Sequence, residues 1–63
     1  MPQSVRIVLD LSDNEALELA QFVKRIGWDH FRSCAVDDEE AYAIRDSVVK
    51  LERALSAAGY TPR

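Results

Sequence analysis

The sequence predicts an α-rich protein, a short N-terminal strand followed by two helices, assembled as a dimer. Three observations predict it. One alternating apolar stretch, SVRIVLDL at residues 4–11, stands near the start of the chain. Two longer stretches then place apolar residues at helical spacing, each opened by a capping residue and closed by a glycine. Finally, 63 residues make one small domain, residues 1–63. A domain of that size hides only about 60% of the surface its unfolded chain exposes. Such scaffolds gain stability from disulfides, a metal or another chain. The single cysteine, Cys34, excludes an internal disulfide, and one His with one Cys does not fill a tetrahedral zinc site without carboxylates. Self-association is the most economical stabiliser left.

The strand is expected over residues 4–11. Val5, Ile7, Leu9 and Leu11 fall on one face, and Arg6, Val8 and Asp10 on the other. β-Branched residues suit the pleat. No second strand pattern exists in the chain, so the expected pairing partner for its open edge is the same strand of another copy.

The first helix is expected over residues 12–26. Ser12 with Glu15 reads as a capping box. Ala16, Leu19, Ala20, Phe22, Val23 and Ile26 form an apolar stripe, with Glu18, Gln21, Lys24 and Arg25 facing away and Leu17 off the stripe. Lys24 and Arg25 complement the negative end of the helix dipole, and Gly27 suits the C′ position. A connector, residues 27–36, follows. It reads either as an ordered loop or as a short helical turn capped by Asp29, with Trp28, Phe31 and Ala35 on one side.

The second helix is expected over residues 37–58. Asp37 with Glu40 resembles another capping box, and the run Asp37, Asp38, Glu39, Glu40 lies at the positive end of the dipole. Ala41, Ile44, Val48, Leu51, Leu55 and Ala58 line one face, and Asp46 with Lys50 makes an i,i+4 pair on another. Gly59 stops the helix, Tyr60 folds back on its last turn and Pro62 prevents a restart, in a tail, residues 59–63, whose TPR end is expected to be frayed.

Charge and composition narrow the function. Eleven acidic against eight basic residues give a net charge of −3, against non-specific nucleic-acid binding. No stretch approaches the roughly 20 apolar residues of a membrane span. The N-terminus lacks the long apolar segment and cleavage site of a signal peptide. With the lone thiol, the expectation is a cytoplasmic protein that uses no cofactor and contacts no membrane.

The chemistry-bearing residues crowd into KRIGWDHFRSCAVDDEE, residues 24–40. His30 and Cys34 stand at i,i+4 and would share a helix face. However, a Cys nucleophile also needs a positioned base and an oxyanion site, and no pattern for these is present, so the reading is not an enzyme. The acidic run lacks the alternating ligands and central glycine of a calcium loop. Trp28 and Phe31 are either a core plug or an aromatic recognition patch, since Trp is enriched at binding hot spots. Lys24, Arg25 and Arg32 flank Gly27 as a modest basic cluster that Arg6 can join. Tyr42, Val49 and Ser56 form a row off the main apolar face of the second helix, a possible second contact surface.

Two resemblances add to this. The order of elements over residues 4–58 resembles the ribbon-helix-helix DNA-binding family. The resemblance implies two chains pairing their strands into a ribbon whose outward residues read the major groove. The reading positions would be Arg6, Val8 and Asp10, with Lys24 and Arg25 as further DNA contacts. The stretch GWDHFRSCAVDDEEAY, residues 27–42, is similar to a group of small uncharacterised bacterial proteins found near mobile genetic elements. That likeness implies a regulator or a small inhibitor of a host defence protein, in which an acidic surface covers a basic one. The expectation drawn from residues and resemblances together is a non-enzymatic module that binds another protein through Trp28, Phe31, Arg32, Asp38, Glu39 and Tyr42. The alternative is a dimeric ribbon-helix-helix-like repressor.

Overall fold

Ser12 sets the start of the first helix. Its hydroxyl accepts the Glu15 amide at 3.1 Å, and the Glu15 carboxylate accepts the Ser12 amide at 2.9 Å. This is the reciprocal box that satisfies two otherwise orphaned N–H groups. The bond from the Ser12 backbone, then that from its side chain, holds the Glu15 carboxyl below its usual range. The helix that follows, α1, spans Asp13–Arg25. The structure, a computed structural model, describes residues 3–61. It contains two further helices, α2 over Trp28–Ser33 and α3 over Asp38–Ala57. The expected role of Pro62 and the last residues of the tail lie outside the described residues.

Asp37 caps α3 by accepting the Glu40 amide at 2.9 Å. Its acidic first turn, Asp38, Glu39 and Glu40, sits where the dipole favours negative charge. The C-terminus closes as expected. Gly59 takes φ +98°, a left-handed conformation that glycine adopts without strain. Its N–H reaches the Ser56 carbonyl at 3.0 Å, and the Tyr60 N–H reaches the Leu55 carbonyl at 2.9 Å. Those two bonds are the Schellman arrangement. Tyr60 thereby folds back, packs on the core and donates its hydroxyl to Asp13 at the start of α1. That hydrogen bond, with a little burial and the Asp13 charge, raises the Tyr60 pKa.

The interior lies between α1 and α3. Ala16, Ala20 and Val23 of α1 meet Leu55 of α3, with Leu19, Val48, Leu51 and Tyr60 packed partly buried around them. Ala41 is fully enclosed but stands apart from this cluster. The helix that carries it, α3, packs against both α1 and α2. Among the described residues, three of the five buried ones are alanines. Burying a Val or Leu fully is worth about 1.5–3 kcal/mol, so little holds the chain together by itself. The dimensions agree. The radius of gyration is 12.8 Å over extents of 34 × 29 × 14 Å, against about 10.5 Å for a compact domain of this length.

Several expectations need correction. The strand over residues 4–11 is not formed. Among the described residues there is no strand, and residues 3–12 precede α1 without regular structure, exposed throughout. A strand exists only through pairing, and one chain offers this segment no partner. Of the two readings of the connector the short helix is the one formed, as α2, but its cap is Gly27 rather than Asp29. Gly27 is extended, at φ −139° and ψ −172°, so it opens α2 instead of closing α1 in the left-handed form. α1 ends through the bond from the Ile26 amide to the Phe22 carbonyl. Phe22 and Ala58, both expected on apolar stripes, are exposed, and Ala58 is the C-cap beyond the last turn of α3. Asp46 pairs with the adjacent Arg45 at 3.0 Å.

Candidate interaction surface

Where α2 meets α3, the chain gathers its most distinctive side chains. Gly27 allows the backbone to enter α2 directly after α1. The Gly27 amide donates to Nδ1 of His30 at 3.1 Å, and the Ser33 hydroxyl donates to the His30 carbonyl at 3.0 Å. His30 therefore acts as a side-chain brace for a six-residue helix, with one ring nitrogen committed as an acceptor. Cys34 ends α2 and is exposed. Among the described residues no group of three or more His, Cys, Asp or Glu side chains is placed to hold a metal ion.

This short helix presents Trp28 to Tyr42 of α3. The two rings lie 4.8 Å apart, centroid to centroid, tilted by 37°, within the range where aromatic pairs attract. Arg45 continues the stack, its guanidinium carbon 5.1 Å from the centre of the Tyr42 ring, a cation–π distance. Trp28 keeps 38% of its surface exposed and Tyr42 47%. Beside them Arg32 clamps the two helices. Its Nε donates to Oδ1 of Asp38 at 2.7 Å, and a second guanidinium nitrogen donates to the Ala35 carbonyl at 3.1 Å. Both partners of that ion pair are exposed, so it fixes geometry more than it stabilises.

Four of the six residues expected to form a contact surface are thus joined in two direct pairs, Trp28 with Tyr42 and Arg32 with Asp38. Phe31 is half-buried on α2, and Glu39 is exposed in the first turn of α3. Sequence reasoning missed Arg45. Its signal was the i,i+3 spacing from Tyr42, which puts a guanidinium beside an aromatic ring on the same helix. Of the row off the apolar face of α3, Val49 is half-buried and Ser56 is exposed, its hydroxyl 3.1 Å from that of Thr61.

The DNA-contact candidates separate. Arg6, Val8 and Asp10 are exposed in the segment before α1. Arg25 donates to the Gln21 side chain at 2.8 Å, and Lys24 lines a shallow open groove with Glu52, Arg53, Ser56 and Thr61. Arg32, the third residue of the basic cluster expected around Gly27, is turned onto Asp38.

The fold and surface define a small three-helix protein with an exposed aromatic–guanidinium stack at one corner. Among the described residues no helix is long and apolar enough to cross a membrane. The chain belongs to a family of unknown function, DUF7706, whose model matches residues 1–63. No curated protein and no solved structure matches it.

Proposed function

We propose that this protein is a non-enzymatic, dimeric interaction module that covers a surface of another protein with its α2–α3 corner. The observation that carries the reading is the half-exposed stack of Trp28, Tyr42 and Arg45. Trp, Tyr and Arg are the residue types most enriched at binding hot spots. Here they are already ordered against one another, which lowers the entropy lost on binding. The acidic turn Asp38, Glu39 and Glu40 borders the stack and favours a basic counter-surface. The action is steric and electrostatic occlusion, in the cytoplasm. An inhibitor of a host defence protein, as encoded near mobile elements, is the specific form that fits an acidic occluding surface.

The test uses a photo-crosslinking amino acid replacing Tyr42 in cells that express the protein, with captured proteins identified by mass spectrometry. A partner captured this way should bind the purified protein, and Trp28→Ala or the charge reversal Asp38→Lys with Glu39→Lys should weaken it at least about tenfold, the scale of a hot-spot residue. Helicity should be retained in both variants. Undiminished binding by both would overturn the assignment of this corner. A second reading, a DNA-binding repressor, is favoured only by the exposure of Arg6 and Val8. It requires duplex binding that falls steeply with salt and is lost on Arg6→Ala.

A further inference from the structure

The segment before α1 carries its apolar side chains into solvent. Val5 is 82% exposed, Ile7 81%, Leu9 61% and Leu11 37%, with Val8 on the opposite face at 77%. Single exposed apolar residues are ordinary, but an alternating run of them is a strand face with nothing on it. The sequence of this run is also complementary to itself. We infer that residues 5–11 pair antiparallel with residues 5–11 of a second copy of this chain, in the register that sets Val8 opposite the partner's Val8. This deepens the dimeric reading proposed above and rests on it.

Directly opposite residues of an antiparallel pair share a face and bring their Cβ atoms to about 4.5–5.5 Å. With Val8 on the two-fold axis, Val5 faces the partner's Leu11 and Ile7 faces the partner's Leu9. The symmetry repeats both pairs, so all eight side chains of the apolar face meet apolar side chains. On the other face Arg6 meets the partner's Asp10, and Asp10 meets the partner's Arg6. Every charge in the segment then has an opposite charge across from it.

Competing arrangements lose one of these features. Moving the axis to Ile7 sets Arg6 against the partner's Val8 and Leu11 against its Gln3. Moving it to Leu9 sets Asp10 against Val8 and Val5 against Asp13. A shift by one residue opposes the apolar set to the polar set. Parallel pairing in register sets Arg6 on Arg6 and Asp10 on Asp10, which is repulsive. A two-stranded ribbon alone is marginal and needs its apolar face covered. The next element, α1, leaves Leu17 and Phe22 exposed as apolar surface of the kind required.

The test is a charge swap read by light scattering and sedimentation on the full chain across a concentration series. Arg6→Asp alone and Asp10→Arg alone each turn two cross-strand attractions into repulsions and should weaken dimerisation about tenfold or more. The double variant Arg6→Asp with Asp10→Arg restores both pairs with the charges exchanged and should return to within about threefold of the unaltered chain. In a Cys34→Ser background, Val8→Cys should oxidise to a covalent dimer, since opposed residues have Cα separations suited to a disulfide. A dimer in which the single swaps have no effect, or the double swap no rescue, overturns the register and leaves self-association standing on another surface. Preferential self-crosslinking of Ile7→Cys or Leu9→Cys overturns it too, in favour of a shifted axis. A chain that stays monomeric at all concentrations overturns the dimeric reading along with the register.

Discussion

Ala41 is the residue on which the geometry of the corner depends. It is 0% exposed, lies in the second turn of α3 next to Tyr42, and stands outside the α1–α3 cluster, which points to α2, the other element packed on α3, as its cover. Replacing it with Leu adds three carbon atoms where there is no free space. Overpacking of this kind costs about 1–3 kcal/mol. The strain has an outlet, because α2 is only six residues long and has no fully buried side chain of its own, whereas the contact of α1 with α3 is made elsewhere. The expected response is displacement of α2 with the α1–α3 core kept. At about 2 kcal/mol the melting temperature should fall by about 8–16 °C, given about 4–8 °C per kcal/mol in a domain of this size. Trp28 is the only tryptophan, so its emission reports this corner alone. In Ala41→Leu the emission should shift to the red and transfer from Tyr42 should drop, while far-ultraviolet circular dichroism keeps most of the helical signal. Unaltered emission and melting would mean that Ala41 is not enclosed by α2, and would refute the packing that orders the stack.

Leu55→Ala should be more damaging than any surface change, because Leu55 is the largest side chain among the buried residues. The expected loss is about 3 kcal/mol against a total of about 3–9 kcal/mol for a chain of this length, so thermal melts should show a marginal or unfolded protein. Leu17→Ala, at an exposed position, should shift the midpoint little. The two displaced pKa values set opposite pH limits. The Glu15 carboxyl is held low, so its contribution is complete above the unfolded value near 4.5 and lost as pH falls through the lower folded value. Tyr60 is held high, so its contribution is complete below about pH 10 and lost as pH rises through the higher folded value. Denaturant midpoints against pH should therefore lose an acid-side component in Glu15→Gln and an alkaline-side component in Tyr60→Phe. Profiles parallel to that of the unaltered chain would contradict both assignments.

The parts of the fold that were readable in the sequence are those with local causes. Ser12 with Glu15, Asp37 with Glu40, and Gly59 with Tyr60 each determine a helix end through residues within a few positions, and helix ends came out within a residue of expectation. The sequence left α2 open between a loop and a short helical turn. Six residues are too few to show a period, and its cap came from a glycine and a histidine ring rather than from a Ser, Thr, Asp or Asn. The strand pattern was real as alternation, but alternation describes what a segment can pair with, and pairing is not a property of one chain. The site divided along the same line. The residue types at the corner were visible in the sequence, whereas the meeting of Trp28 with Tyr42 depends on how α2 folds back on α3. Arg45 acquires its meaning only once Tyr42 is seen to face outward.

The thinness of the molecule bears on both proposed surfaces. Its shortest extent is 14 Å, little more than one helix with its side chains. Domains bury a core between packed layers, and the core that α1 and α3 enclose is small, with Val23 and Leu55 its largest buried side chains. The apolar residues before α1 are exposed in a row and take no part in the α1–α3 core. Placed in a ribbon shared by two copies, they add a second apolar contact and leave the α2–α3 corner of each copy facing outward. The two surfaces then differ in kind. One is apolar and self-complementary, as suits permanent assembly. The other is aromatic, charged and asymmetric, as suits a different protein. A test of their independence follows. Val8→Asp should separate the copies without moving the Trp28 emission, and Trp28→Ala should leave the dimer intact. If either substitution disturbs both readouts, the two surfaces are one.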